Sequence, residues 1–156
     1  MTRTIFRVLH IDDDPTMTDL AVQSLSEYGI EVTALNEPTR AIELLLREQF
    51  QVVLLDVDMP SVSGIDLLDD IKRLHGGISV IMFTGIVALS TIVDSIRNGA
   101  TACFFKPLEN FAPLAELILA EFAKHERWRA SLRELAQRQR QEACIPQIQA
   151  TLIASH

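Results

Sequence analysis

Four short apolar runs each deliver a polar residue at or just past their carboxyl end, and this spacing constrains the fold more than any other feature. VLHI is followed by Asp12 and Asp13, VVLL by Asp56, VIMF by Thr84 and CFF by Lys106. The runs are too short for globular helices and are bounded by turn residues, so they read as strands. Parallel strands would carry three carboxylates, a hydroxyl and an ammonium to one edge of a sheet. In such sheets a ligand sits beyond the carboxyl ends of the strands.

The stretches between the runs have helical periodicity. Asp12-Asp13-Asp14-Pro15 ends the first strand (5–11) and suits the start of a helix, with proline in the first turn and acids at its positive end. That helix reaches about Tyr28 and is stopped by Gly29. Residues 31–35 form a short strand, and Pro38 opens a helix with Ala41, Ile42, Leu45 and Leu46 inward. Residues 51–55 are apolar enough for burial on both faces. After the loop 56–64 come a helix over 65–74, a strand over 78–83 and a helix over 88–98 with Leu89, Ile92, Val93 and Ile96 at core spacing. A fifth strand covers 101–105, and a last helix begins near Leu108 with Phe111, Leu114, Ala115 and Ile118 inward. Five β-then-α units with short connections give an α/β, doubly wound, five-stranded parallel sheet.

From 108 to 143 there is no glycine and no proline except Pro113, so the last helix is expected to run past the domain until Pro146 breaks it. The expected organisation is a domain over 1–122, a helical extension or linker over 123–145, and a tail over 146–156 that includes Ile148, Leu152 and Ile153. Trp128, Leu132 and Leu135 make a short stripe on which a second copy could pack as a homodimer, although Gln139 and Glu142 interrupt it.

Charge limits the partners. Residues 1–120 carry 8 Lys/Arg and 17 Asp/Glu, which argues against a nucleic-acid surface there. Residues 121–156 carry 6 and 4, interleaved as on a solvated helix face. No apolar stretch is long enough to span a bilayer, and no secretory leader is evident, so a cytoplasmic location is expected. Cys103 and Cys144 are too few and too far apart for a disulfide framework or zinc site.

The strand-end residues match one chemistry. Mg²⁺ takes hard oxygen ligands and rarely more than one or two carboxylates. Asp13 is the direct-ligand candidate, Asp12 holds it or a bound water, and Asp56 is both ligand and nucleophile toward a phosphohistidine or small acyl phosphate. Lys106 would neutralise incoming charge and the Thr84 hydroxyl would donate to a phosphoryl oxygen. Any one of these residues could equally be a cap or turn former. Four strand ends that all carry the needed type are harder to explain that way.

With these residues in place, the chain over about 5–122 resembles the receiver domains of two-component response regulators. The resemblance rests on Asp12-Asp13-Asp14-Pro15, Asp56-Val57-Asp58-Met59-Pro60 with Gly64, Thr84-Gly85, and Phe105-Lys106-Pro107. It implies a flavodoxin-like strand order 2-1-3-4-5 with an extended C-terminal helix, and Asp56 as phosphoacceptor. It also implies Mg²⁺ held with Asp12, Asp13, Asp56 and the backbone carbonyl of Asp58, and Thr84 and Lys106 as phosphoryl sensors. A cis Lys106–Pro107 peptide, permitted for X-Pro bonds, is usual in the family. The implied partner is a sensor histidine kinase or phosphotransfer protein. The implied activity is self-phosphorylation with slow autodephosphorylation, not enzymatic turnover.

Cys103 departs from the pattern, because the family commonly has Tyr or Phe three residues before the lysine. A thiol cannot make the same inward aromatic packing change, and Phe104 faces the other side of a strand. Relay is therefore expected through the segment 84–89 and the last helix, to a partner or an output module. Asp58 would add negative charge near the path of attacking water, or be a solvated loop acid. His10 reads as a structural mid-strand imidazole. Two alternatives are a receiver-plus-linker piece of a longer regulator with a catalytic or DNA-binding output, and a haloacid-dehalogenase-type phosphatase. The second needs a Thr or Val where Pro60 stands, and a cap this chain lacks.

Overall fold

The computed structural model describes residues 6–154, without the side chains of 145–148. Along the chain come β1 (Arg7–Ile11), α1 (Pro15–Ser26), β2 (Glu31–Leu35), a 3-10 turn (Pro38–Arg40) leading into α2 (Ala41–Arg47), and β3 (Val52–Leu55). They are followed by α3 (Gly64–Leu74), β4 (Ser79–Thr84), α4 (Leu89–Arg97), β5 (Ala102–Phe105) and α5 (Ala112–Ala154). The strands form one sheet in the order β2-β1-β3-β4-β5, with every neighbouring pair parallel. This is the doubly wound, flavodoxin-like architecture with a long last helix. Residue 5, counted in the first strand above, and the Ile148 side chain lie outside the described residues.

The chain divides into two compact units, residues 1–122 and 123–156. Within the first, the period-2 alternation of the strands feeds two cores. Leu9, Ile11, Val53 and Leu55 meet Leu67, Leu68 and Ile71 of α3 on one face. Val8, Leu54, Ile81 and Phe83 meet Leu25 of α1 and Leu114 and Ile118 of α5 on the other. β3 and β4 are buried throughout, whereas β2 and β5 at the edges are only half-buried. Each fully buried Leu or Ile contributes about 1.5–3 kcal/mol.

Four local expectations need correction. In α2 Leu44, not Leu46, turns inward: Leu46 is 68% exposed. The tighter 3-10 turn at 38–40 shifts the phase of the helix that follows. In α4 only Ser95 is fully buried, while Leu89 is 76% exposed and Ile96 also faces solvent. Ser95 donates its hydroxyl to the Thr91 carbonyl at 2.7 Å, so the most buried position of the helix is a small, satisfied residue, while Ile92 and Val93 are half-buried. α5 begins at Ala112 instead of Leu108, because Asn110 Oδ1 accepts from the Ala112 N–H at 2.9 Å and fixes the turn before it.

The fourth correction concerns Pro146, which does not end the helix: α5 continues to Ala154. Proline removes one backbone hydrogen bond, the one to the Glu142 carbonyl, and the helix formers Gln141 and Ala143 before it and Gln149 and Ala150 after it favour continuation. In the second unit Trp128, Leu132 and Leu135 are exposed, as are Leu152 and Ile153. The pair Arg133–Glu126 lies on the same segment at 2.8 Å. None of the described helices is long and apolar enough to cross a membrane.

Candidate functional site at the carboxyl edge of the sheet

The hydrogen-bond ladder of the sheet extends one residue past each strand, and that extension fixes the backbone of the site. The Asp12 N–H donates to the Leu35 carbonyl (3.1 Å), Asp56 N–H to Ile11 (3.0 Å) and Lys106 N–H to Thr84 (2.9 Å). Asp12, Asp56, Thr84 and Lys106 are thereby brought together from four strands. Oxygen atoms of Asp12, Asp13 and Asp56 lie within 4.8 Å of one another. Asp12 and Asp56 are buried and Asp13 is exposed, so the cluster opens to solvent on one side.

Buried carboxylates require donors. Asp12, only 1% exposed, accepts from the Asp14 N–H at Oδ1 (2.9 Å) and from the Lys106 ammonium at Oδ2. Asp56 Oδ1 accepts from the Val57 N–H at 2.8 Å, and its Oδ2 lies 3.6 Å from the same ammonium. Burial raises the Asp56 carboxyl above its ordinary value. The Lys106 charge opposes that rise, Asp12 adds to it, and hydrogen bonds from the Thr84 hydroxyl and Val57 N–H lower it. Thr84 Oγ1 in turn accepts from the Ile86 N–H at 3.2 Å, which ties the hydroxyl to the start of the β4–α4 loop. The Lys106–Pro107 peptide is cis.

Asp58 is exposed, and its backbone pairs with Ser63 across the β3–α3 loop. Beside it a groove of about 360 Å³ is bordered by Val57, Asp58, Pro60, Ser61 and, from the β4–α4 loop, Ile86. Cys103 stands opposite Met82 on β5 and packs with the α3-side core, whereas Phe104 packs with the other core. Neither belongs to the acidic cluster.

Three further residues support the site, and of these sequence patterning did not single out Asn36. Asn36 Nδ2 donates to the Asp12 carbonyl (2.8 Å) and the Thr18 hydroxyl (3.0 Å), so β2 also delivers a polar residue to the edge. Applying the strand-end rule to the fifth run would have found it. Gly64 approaches the backbone of Asp56 and Val57 so closely that a Cβ would lie 2.0 Å from the Asp56 carbonyl oxygen. His10 is fully buried beneath Asp12, and burial lowers its imidazole to about 4. The Asp12 charge opposes that shift, and Lys106 reinforces it. The imidazole is therefore neutral at ordinary pH.

The cluster can bind a cation through its carboxylates, present one Asp56 oxygen as a nucleophile, and meet an incoming anion with Lys106 and Thr84. Known proteins share this arrangement of elements. Residues 8–118 match the family described as Response regulator receiver domain. The transcriptional regulatory protein ZraR of Escherichia coli is 31% identical over 109 residues, covering 70% of this chain and 25% of that protein. The response regulator protein PilR of Pseudomonas aeruginosa is 30% identical over 112 residues, covering 72% and 25%. The chain thus spans about a quarter of the length of these curated relatives. A CheY-like response regulator receiver domain protein from Methanospirillum hungatei superposes with a TM-score of 0.74 at 31% identity, covering 80% of this chain and 98% of that one. With more than half of its residues matched, the chain belongs to the response regulator receiver domain family.

Proposed function

We propose that this domain accepts a phosphoryl group on Asp56 from the phosphohistidine of a sensor histidine kinase or phosphotransfer protein. The observation that carries the reading is the Asp56 carboxylate itself. It is buried, with one oxygen held by the Val57 N–H and the other facing Lys106 at 3.6 Å. In the transfer, Asp56 Oδ2 attacks phosphorus, the P–N bond to the donor imidazole breaks, and an acyl phosphate forms. Phosphoryl transfer depends on positioning and charge neutralisation, and the ammonium and the Thr84 hydroxyl would supply both.

The donor set of Asp12, Asp13 and Asp56, all hard oxygens and one of them exposed, fits Mg²⁺, with the Asp58 carbonyl as a further ligand. When bound, the ion supplies positive charge against the phosphoryl oxygens. Relay then runs through residues 84–89, where Thr84 is already bonded to the Ile86 N–H. Loss of the Thr84–Asp56 bond in favour of a phosphoryl oxygen would pull that loop and α4. Cys103 leaves no ring to follow the threonine, so loop and helix movement carries the signal to a partner or output module, with the last helix as connector. Homodimerisation along Trp128, Leu132 and Leu135 belongs to the same reading, as do a cytoplasmic location and single phosphorylation without substrate turnover.

The test is labelling with a small acyl phosphate, with and without Mg²⁺, followed by size measurement of the labelled chain. The reading predicts stoichiometric, Mg²⁺-dependent labelling; continued turnover of a phosphomonoester would overturn it. A labelled chain that stays monomeric would remove the homodimer from it.

A further inference from the structure

β1 places His10 two residues before Asp12, on the face of the sheet that carries Phe83, whose ring lies 5.8 Å away. The imidazole is fully buried, yet neither Nδ1 nor Nε2 has a hydrogen-bond partner. Most buried side-chain nitrogens in folded proteins have one, and a valine or leucine would fill this apolar site without burying two polar atoms. The ring is aimed at the site: Nε2 lies 3.9 Å from Asp12 Oδ2, beyond hydrogen-bond reach. That oxygen is the one the Lys106 ammonium occupies, while Oδ1 is filled by the Asp14 N–H. Lys106 thus already pairs with the carboxylate oxygen that His10 Nε2 approaches.

A phosphoryl group on Asp56 would change that balance. Lys106 already lies 3.6 Å from Asp56 Oδ2, and new negative charge there draws the ammonium away from Asp12. Beside any cation the cluster holds, Asp12 Oδ2 then loses its ammonium donor, and the His10 imidazole 3.9 Å away is placed to replace that hydrogen bond. The Val57 N–H is committed to Asp56, the Asp14 N–H to Oδ1, and the Asn36 amide to the Asp12 carbonyl.

We propose that His10 is a positioning residue that donates its Nε2–H to Asp12 Oδ2 as Lys106 turns toward the phosphoryl group. The handover moves no proton between residues and breaks no covalent bond. It uses the Nε2–H alone and leaves Lys106 to meet the new charge. The inference rests on Asp56 as acceptor, but its central geometry can be tested without phosphorylation.

The measurement is long-range ¹H–¹⁵N NMR of the His10 ring in the full chain at neutral pH. Three samples are compared: wild type, Lys106→Met, and wild type with Mg²⁺ and beryllium fluoride. The Nε2–H tautomer is expected in all three, with its proton moving downfield in the second and third. His10→Leu should weaken beryllium fluoride binding about tenfold, the value of one hydrogen bond to a charged group, while changing Mg²⁺ binding less than about twofold. His10→Gln, which keeps an N–H, should recover most of the loss. An Nδ1–H tautomer, an Nε2 proton that does not move in Lys106→Met, or equal weakening of both ligands would overturn the proposal. Failure of wild type to bind beryllium fluoride would count against Asp56 as acceptor, and the Lys106→Met spectrum would still decide the role of His10.

Discussion

Gly64 offers a test of how tightly the acceptor loop is built. A Cβ at this position would lie 2.0 Å from the Asp56 carbonyl oxygen, 2.6 Å from Val57 Cα and 2.9 Å from the Asp56 carbonyl carbon. All three neighbours are backbone, so no side chain can swing aside, and the Gly64 N–H is itself bonded to the Val57 carbonyl at 2.9 Å. In Gly64→Ala the first contact must open by at least about 1 Å. Overpacking of this kind costs about 1–3 kcal/mol. Alanine returns up to about 1 kcal/mol through helix propensity. A net loss of up to about 3 kcal/mol lowers Tm by up to about 6–12 °C for a chain of this size. Because the displaced atoms include the Asp56 backbone, the labelling rate should fall as well. The control is Gly85→Ala, where a Cβ meets nothing within 4 Å and both quantities should hold. Thermal melts and a labelling time course read both. If Gly64→Ala melts and labels like Gly85→Ala, the close approach does not shape the site.

Other perturbations test separate parts of the account. Asn36→Leu removes two donors, including the one on the Asp12 carbonyl, and should cost about 1–3 kcal/mol by chemical denaturation; no loss would mean Asn36 does not support Asp12. The folded-state pKa of Asp56 is raised, so ionising it disfavours the fold as pH rises. Asp56→Asn should therefore melt higher than wild type at pH 7, with the gap closing below the usual carboxylate range. The folded-state pKa of His10 is lowered from 6.5 to about 4, so its contribution is present above 6.5 and lost as pH falls through 4. His10→Leu should flatten that acid limb, which amounts to at most about 3 kcal/mol. Leu89→Ser, on an exposed position, should shift stability by less than about 0.5 kcal/mol.

The sequence displayed most of the site because each chemical residue follows an apolar run, and parallel pairing turns that serial order into a common edge. The same logic located Asp12, Asp56, Thr84 and Lys106 without reference to any contact. It missed Asn36 because β2 is an edge strand, half-exposed and less apolar, so its run did not announce a polar terminus. Helix phase was harder to read than strand phase. Leu46, Leu89 and Ile96 are apolar but exposed: a 3-10 turn shifts the phase of one helix and Ser95 takes the most buried position of the other, neither of which periodicity encodes. Gly64 was visible as a loop-ending glycine, but the reason for it is a tertiary approach to Asp56. His10 looked like an ordinary core residue until its nitrogens proved to lack partners.

The central claim is that Asp56 carries the phosphoryl group. An acyl phosphate on an aspartate is reduced by borohydride to homoserine, so the labelled chain can be reduced, digested and mapped by mass spectrometry. The account predicts homoserine at position 56 alone, dependent on Mg²⁺ and on the phosphodonor, and none anywhere in Asp56→Asn. Homoserine at position 12, 13 or 58, or equal labelling of wild type and Asp56→Asn, would contradict it.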